Sequence, residues 1–218
     1  MAEVPLHEEE FLSSLFARPL IAGASVSADY FTLSPGKRLA LIYARTQGDV
    51  LTIARGSVPG RETLARISDR LLATRTIVIA IDAFFWDSTG TDCLSSVEAA
   101  RAFVEKCQRH RVPVVLGDIP GLLHGRQPCR YFLNRAIRDL PRQFPLCRVL
   151  HLDHLYQREL KGELKIRGSH HALGELLPDG LHVSRLASEH LTERLRRLCI
   201  EFRGAPEIAP ETPQPAAG

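Results

Sequence analysis

Five short runs of apolar, often β-branched residues recur along the chain, and a segment with helical periodicity follows each of them. Residues 76–81, TIVIAI, are apolar almost throughout, as expected of a central strand that is buried on both faces. This alternation predicts an α/β fold, a three-layer α/β/α sandwich with a parallel five-stranded sheet at its centre. The predicted strands cover residues 19–22, 50–54, 76–81, 112–116 and 147–152.

The periodic segments between these runs place apolar residues at intervals of three and four. Right-handed crossovers leave few possible strand orders, and we expect a flavodoxin-like order. Residues 159–167 alternate around Gly162 and predict a small hairpin. The predicted helices cover residues 61–72, 95–109, 130–140 and 185–198.

The chain of 218 residues is long enough for one sizeable core, so we expect a single domain over residues 1–202. Residues 203–218 are rich in proline and alanine and predict a disordered tail. The basic residues are spread along the chain and the formal net charge is only +3, so neither nucleic acid nor a membrane surface is an expected partner. No apolar run approaches the roughly 20 residues that a membrane span needs.

The acidic first residues lack the pattern of a secretory signal and predict a cytoplasmic protein. Five cysteines are widely spaced without a CxxC pair, so we expect reduced and mostly buried thiols. The histidines at 151, 154, 170 and 171 do not match a strong zinc spacing, and no metal site is predicted.

The loop after the first predicted strand, residues 21–29 (IAGASVSAD), surrounds Ser25 with small residues. Ligands of open parallel sheets collect at the carboxyl ends of the strands, which is where this loop lies. Gly23 and Ala24 would let the backbone turn sharply, leaving the Ser25 hydroxyl exposed and its N–H free to donate. Ser25 is therefore a candidate nucleophile, although a serine in such a loop is by itself more often a turn or helix-cap residue.

A serine needs a base to take its proton, and LPDGLHVS, residues 177–184, offers one. Asp179 precedes His182 by three residues, so its carboxylate can accept from one imidazole nitrogen while the other points at Ser25. The same pair could instead brace a loop. Gly60, just before a predicted helix, could aim its N–H at a developing oxyanion or simply shape a turn.

Together, GASVS, Gly60 and DGLH appear in the order found in the SGNH, or GDSL-like, hydrolases, and the resemblance spans roughly residues 19–198. It extends to FLNRAI around Asn134, which is similar to a helix common in that family. The resemblance implies an esterase, lipase, thioesterase or carbohydrate deacetylase that needs no metal or organic cofactor. It also implies that Ser25 is the nucleophile, His182 the base and Asp179 its orienting carboxylate, with the N–H groups of Ser25 and Gly60 as oxyanion donors.

The chain departs from that family at two places. Ala24 stands where an aspartate usually precedes the nucleophile. The segment AIDAFFWDS, residues 80–88, lacks the asparagine whose amide completes the oxyanion hole; Phe84 falls near its position. Losing such a donor commonly costs about 2.7 to 4 kcal/mol of transition-state stabilisation. Trp86 is the one neutral N–H donor nearby, and Asp82 and Asp87 could contact substrate, although capping or hydrogen-bonded structural roles are commoner for such residues.

The sequence thus predicts a serine-nucleophile hydrolase that cleaves a carboxylester, thioester or O-acetyl bond of a small molecule through an acyl-enzyme. Two alternatives stay open. The missing asparagine also fits a catalytically impaired binding protein on the same fold, and an acyltransferase would share the triad but exclude water better from its pocket.

Overall fold

The computed structural model describes residues 6–204, and its centre is a five-stranded, all-parallel sheet. The strand order is β2-β1-β3-β4-β5, so the predicted flavodoxin-like order and the α/β class are confirmed. Each observed strand lies within two residues of its predicted start. The strands are β1 (Pro19–Gly23), β2 (Leu51–Ala54), β3 (Ile77–Ala80), β4 (Val114–Gly117) and β5 (Cys147–Leu150).

Helices cover both faces of the sheet because the strands alternate apolar side chains between two cores. Ile77 and Ile79 of β3 face one core, and Val78 and Ala80 face the other. The first core is closed by α1, α2 and α9, and the second by α3, α5 and α6, which gives the three predicted layers. The helices are α1 (Leu6–Leu15), α2 (Pro35–Tyr43), α3 (Gly60–Ala65), α4 (Asp69–Leu72), α5 (Cys93–Arg109), α6 (Arg130–Gln143), α7 (Leu152–Leu160), α8 (Leu173–Leu176) and α9 (Arg185–Ile200).

The predicted helix over residues 61–72 is two helices, α3 and α4. The break occurs at Ser68, whose side chain accepts from the Leu71 N–H at 3.2 Å and starts a new helix as its N-cap. Helices α1, α2, α7 and α8 were not predicted from the sequence.

The predicted hairpin over residues 159–167 is wrong. Residues 159 and 160 end α7, whose Leu152, Leu155 and Tyr156 have helical spacing. Gly162 adopts a φ of +67° and its N–H donates to the Glu159 carbonyl at 2.9 Å, which terminates the helix. One antiparallel bridge, Ile166 to Ser169, follows further along the chain.

The expectation that all five cysteines are reduced is also wrong, because Cys93 and Cys129 form a disulfide. Neighbouring strands β3, β4 and β5 bring the N-terminal ends of α5 and α6 together, with the two Cα atoms 5.0 Å apart. The other three, Cys107, Cys147 and Cys199, are free and buried as predicted. Disulfides are rare in cytosolic proteins, so this pair does not support the predicted cytoplasmic location, which stays a prediction.

The single-domain boundary stays a prediction as well. Residues 203 and 204 of the predicted tail lie in a 3-10 turn, Glu201–Gly204, and the rest of that tail lies outside the described residues. Within residues 6–204, none of the helices is both long and apolar enough to cross a membrane.

Candidate active site

Ser25 lies in the turn that follows β1, and the carboxylate of Asp82 holds this turn in place. Asp82 comes two residues after β3, the neighbour of β1 in the sheet. It accepts the backbone N–H groups of Ala24, Val26 and Ser27 at 3.1, 2.8 and 3.1 Å, and also the Ser27 hydroxyl. Burial raises the pKa of Asp82, and these hydrogen bonds oppose that rise. The turn is thus held by a carboxylate from the adjacent strand, while the residue before the serine is Ala24.

Gly23 makes this arrangement possible. A Cβ at this position would lie 2.1 Å from Oδ1 of Asp82, and the residue adopts a φ of +151°. Only glycine allows the carboxylate to approach the loop so closely. The loop is therefore fixed by backbone hydrogen bonds rather than by side-chain packing alone.

These contacts leave the N–H and the hydroxyl of Ser25 without hydrogen-bond partners. The N–H groups on either side of it, those of Ala24 and Val26, donate to Asp82, but the Ser25 N–H has no acceptor among residues 6–204. Its hydroxyl likewise has no hydrogen-bond partner in the described part of the chain, and the residue lines a pocket. Both groups are available to a substrate.

His182 and Asp179 form the predicted pair. The imidazole Nδ1 lies 2.7 Å from Oδ2 of Asp179, while Oδ1 accepts the backbone N–H groups of Leu181 and His182. Partial burial raises the pKa of Asp179, but the hydrogen bonds from His182 and Leu181 outweigh it and lower the pKa to about 2. An ionised carboxylate can only accept, so Nδ1 carries the proton and Nε2 is left free to act as a base.

The loops of Ser25 and His182 meet through two aromatic side chains. The His182 ring stacks on Tyr30 and on Phe31, with centroids 5.8 and 5.7 Å apart. The Tyr30 N–H also donates to the Ser25 carbonyl at 3.1 Å, so Tyr30 borders Ser25 as well. No hydrogen bond joins Ser25 to His182 among the described residues; such bonds are often long before substrate binds.

Gly60 lies at the start of α3, and its N–H donates to the carboxylate of Asp87. Asp87 is 3% exposed and also accepts from the Arg61 N–H and the Ser96 hydroxyl, so it caps this helix. A Cβ on Gly60 would lie 2.3 Å from the carbonyl oxygen of Ala83, which explains the glycine. The N–H predicted as an oxyanion donor is therefore occupied by a protein carboxylate in this structure.

The segment that lacks the asparagine is largely buried. Phe84 is 1% exposed and belongs to the core between the sheet and α5. Trp86 packs edge-on against Phe85 at 5.4 Å, and its indole N–H is buried without a partner in the described residues. Of the residues predicted to contact substrate, Asp82 borders the pocket but is saturated with protein donors, and Trp86 and Asp87 lie outside the pocket lining.

Ser25 opens into a pocket at the carboxyl edge of the sheet, as predicted for an open parallel sheet. Its cavity volume is about 130 Å³. The loops after β1, β3 and β4 form its floor, and α7, α8 and α9 contribute the remaining walls. Leu181 and Val183, the neighbours of His182, line it as well.

Two other predictions concern the surroundings of the site. Asn134 of α6 accepts the Ile119 N–H at 2.7 Å and donates to the Ile119 carbonyl at 2.9 Å, which fixes the loop after β4. In the portion of the chain that is described, no cluster of three histidine, cysteine or carboxylate side chains could hold a metal ion.

Sequence reasoning did not identify the aromatic pair Tyr30 and Phe31 or the bracing role of Asp82. Tyr30 and Phe31 are 54% and 67% exposed, which is unusual for large aromatic side chains, but exposure is not readable from the sequence. For Asp82 a signal existed, since a carboxylate directly after a buried central strand must find donors at the carboxyl edge.

Two solved structures are similar to this one over nearly their whole length. The lipase/acylhydrolase from Enterococcus faecalis is 18% identical, with a TM-score of 0.59 over 87% of this chain and 98% of that one. The psychrotrophic esterase EstA from Pseudoalteromonas sp., in a structure inhibited by monoethylphosphonate, is 16% identical, with a TM-score of 0.56 over 85% of this chain and 97% of that one. No family model and no curated protein matches the sequence. At these identities the likeness establishes the fold alone, and it confirms the predicted three-layer α/β/α architecture.

Proposed function

We propose that the protein is a serine hydrolase that cleaves an ester bond of a small molecule through an acyl-enzyme. The observation that carries the proposal is the Asp179–His182 hydrogen bond, formed in a loop whose Leu181 and Val183 line the same pocket as Ser25, while Ser25 has a free hydroxyl and a free N–H. The fold shared with an esterase and a lipase/acylhydrolase supports it.

In the proposed reaction the Ser25 hydroxyl attacks the substrate carbonyl while Nε2 of His182 takes its proton. The tetrahedral intermediate collapses as His182 gives that proton to the leaving alcohol, or to a thiol for a thioester. Water, deprotonated by the same nitrogen, then attacks the acyl-enzyme, and His182 returns the proton to Oγ of Ser25 as the acyl C–O bond breaks and the acid leaves. Asp179 keeps the imidazole in the required tautomer and stabilises its protonated form. No metal or organic cofactor enters these steps.

The Ser25 N–H, which the fold leaves without an acceptor, would donate a hydrogen bond to the oxyanion. The Gly60 N–H donates to the Asp87 carboxylate in this structure. It could act as a second oxyanion donor only after breaking that hydrogen bond. Phe84 offers no donor at the asparagine position. We therefore expect a working site with a weaker oxyanion hole than one that has all three donors.

Two of these observations, the Gly60 N–H bonded to Asp87 and the absence of a donor on Phe84, favour a second candidate, a binding protein of this fold that has lost catalysis. It would keep the pocket and the Asp179–His182 pair but turn over no ester. An acyltransferase differs from the hydrolase only in the acceptor, so product analysis with added alcohols separates the two.

Hydrolysis of p-nitrophenyl acetate and p-nitrophenyl octanoate by the purified full chain, with EDTA present, tests the proposal. We expect turnover of at least one ester well above the uncatalysed rate, and no loss of activity on chelation. Turnover of neither ester would favour the binding protein.

A further inference from the structure

The pocket beside Ser25 is larger than an acetyl group requires, and its walls are aliphatic. Leucine, isoleucine and valine side chains supply most of the lining. Among them are Leu155, Leu164, Ile166, Leu173 and Leu176 of the segment from α7 to α8, which we call the lid. The described residues that line it include no lysine or arginine. Such a surface does not bind sugar hydroxyls or anionic groups well, because it offers them few hydrogen-bond donors.

Three carboxylates, those of Asp82, Asp118 and Glu159, line this space, and the protein already supplies hydrogen-bond donors to the two buried ones. Asp82 is bound by the Ser25 loop, as described above. Asp118, whose side chain is fully buried, accepts from Arg138 at 2.7 Å, from the Asp153 N–H at 2.7 Å and from His151 at 3.2 Å. Neither carboxylate therefore needs a polar ligand.

The remaining titratable side chains that line the pocket add no further buried charge. His190 lines it, and burial together with Arg194, Arg197 and Arg158 lowers its pKa, so the imidazole is neutral near pH 7. Glu159 is half-exposed at the C-terminal end of α7. The interior is thus suited to an uncharged apolar group.

Helix α7 shows that this space is not filled by the protein itself. Its apolar side chains are only half-buried: Leu152 and Leu155 pack partly against the neighbouring cores, and these two residues and Tyr156 line the pocket. A helix with an apolar face normally buries it against a core. Here that face borders an open space that begins at the nucleophile.

We propose that this pocket binds the acyl chain of the substrate, so that the preferred substrates are esters of medium-length aliphatic acids rather than acetyl esters. The proposal rests on the proposed function, since it places the acyl carbon at Ser25. Burying each additional CH2 group should raise kcat/KM about fourfold until the pocket is filled.

The test is a series of p-nitrophenyl esters from acetyl to octanoyl, measured on the wild type and on Leu155→Trp. Leu155 lines the pocket, and the larger indole would fill it. We expect kcat/KM to rise with chain length in the wild type, and the ratio of octanoyl to acetyl to fall at least tenfold in Leu155→Trp. Leu160→Trp is the matched control, because Leu160 is exposed on the same helix outside this lining and its substitution should leave the ratio unchanged.

Calorimetric titration with octanoate separates this proposal from the catalytic one. We expect octanoate to bind the wild type and Leu160→Trp with a negative heat-capacity change, and Leu155→Trp to bind it at least tenfold more weakly. Binding with that pattern but without ester turnover would keep the acyl-chain site and refute the hydrolase. Turnover of acetyl esters without chain-length preference, or equal octanoate binding by all three proteins, would overturn the acyl-chain site and leave the hydrolase standing.

Discussion

Ser25→Ala is expected to reduce ester turnover to the background rate, a loss of up to about 10⁶-fold in kcat, the size seen when the nucleophile of a serine triad is removed. Without the hydroxyl no acyl-enzyme can form, and the remaining pocket can only bind substrate. The turn is held by backbone hydrogen bonds to Asp82 and not by the Ser25 hydroxyl, so the substitution should not alter the fold. Steady-state hydrolysis of p-nitrophenyl octanoate measures the effect, and circular dichroism checks folding.

Ser57→Ala provides the matched control. Ser57 is an exposed serine on the loop after β2, at the same edge of the sheet, and its side chain also lacks a hydrogen bond within residues 6–204. Because serine and alanine both carry a Cβ, the strain of its positive φ is unchanged. If Ser25→Ala turned over the ester as fast as Ser57→Ala and the wild type do, Ser25 would not be the nucleophile.

His182→Ala should cost about as much as Ser25→Ala, because base and nucleophile act as one unit. The weaker substitution Asp179→Asn removes the carboxylate that fixes the tautomer, and we expect a loss of about 10⁴-fold in kcat. The order of the two effects follows from the structure, since Asp179 acts only through its 2.7 Å hydrogen bond to Nδ1.

His154→Ala is the control for the histidine. His154 is exposed on α7 and makes no hydrogen bond to the described residues, so its loss should leave kcat within a factor of about two. An active His182→Ala enzyme, or a double variant Ser25→Ala/His182→Ala much less active than either single variant, would argue that the two residues do not work together.

The sheet was largely predictable because its strands are buried and short. A run such as residues 76–81 has few alternatives once it is apolar on both faces, and the crossovers then restrict the order. The lid was not predictable in the same way. The predicted fifth strand ran to residue 152, but α7 already begins at that residue. Periodicity alone does not separate the end of a short strand from the start of a helix.

The disulfide escaped prediction for a different reason. Cys93 and Cys129 are 36 residues apart, and only the packing of α5 beside α6 brings them together. The separation of the two cysteines in the sequence does not indicate that they lie close together.

The two halves of the proposed triad were visible from the sequence, because glycine-rich turns after strands and an Asp-x-x-His loop carry local signals. The carboxylates that contact the Ser25 loop and Gly60 could not be identified from the sequence. Asp82 reaches Ser25 from a neighbouring strand, and Asp87 reaches Gly60 from 27 residues away. Such contacts depend on strand order and loop conformation together.

The most direct measurement of the central claim is labelling with a fluorophosphonate probe near neutral pH, followed by mass spectrometry of the labelled peptide. If His182 activates Ser25, the wild type should carry the phosphonyl group on Ser25, and His182→Ala should label at least a hundredfold more slowly. An unlabelled wild type, or a label on Ser25 that forms equally fast without His182, would contradict the proposed catalytic machinery.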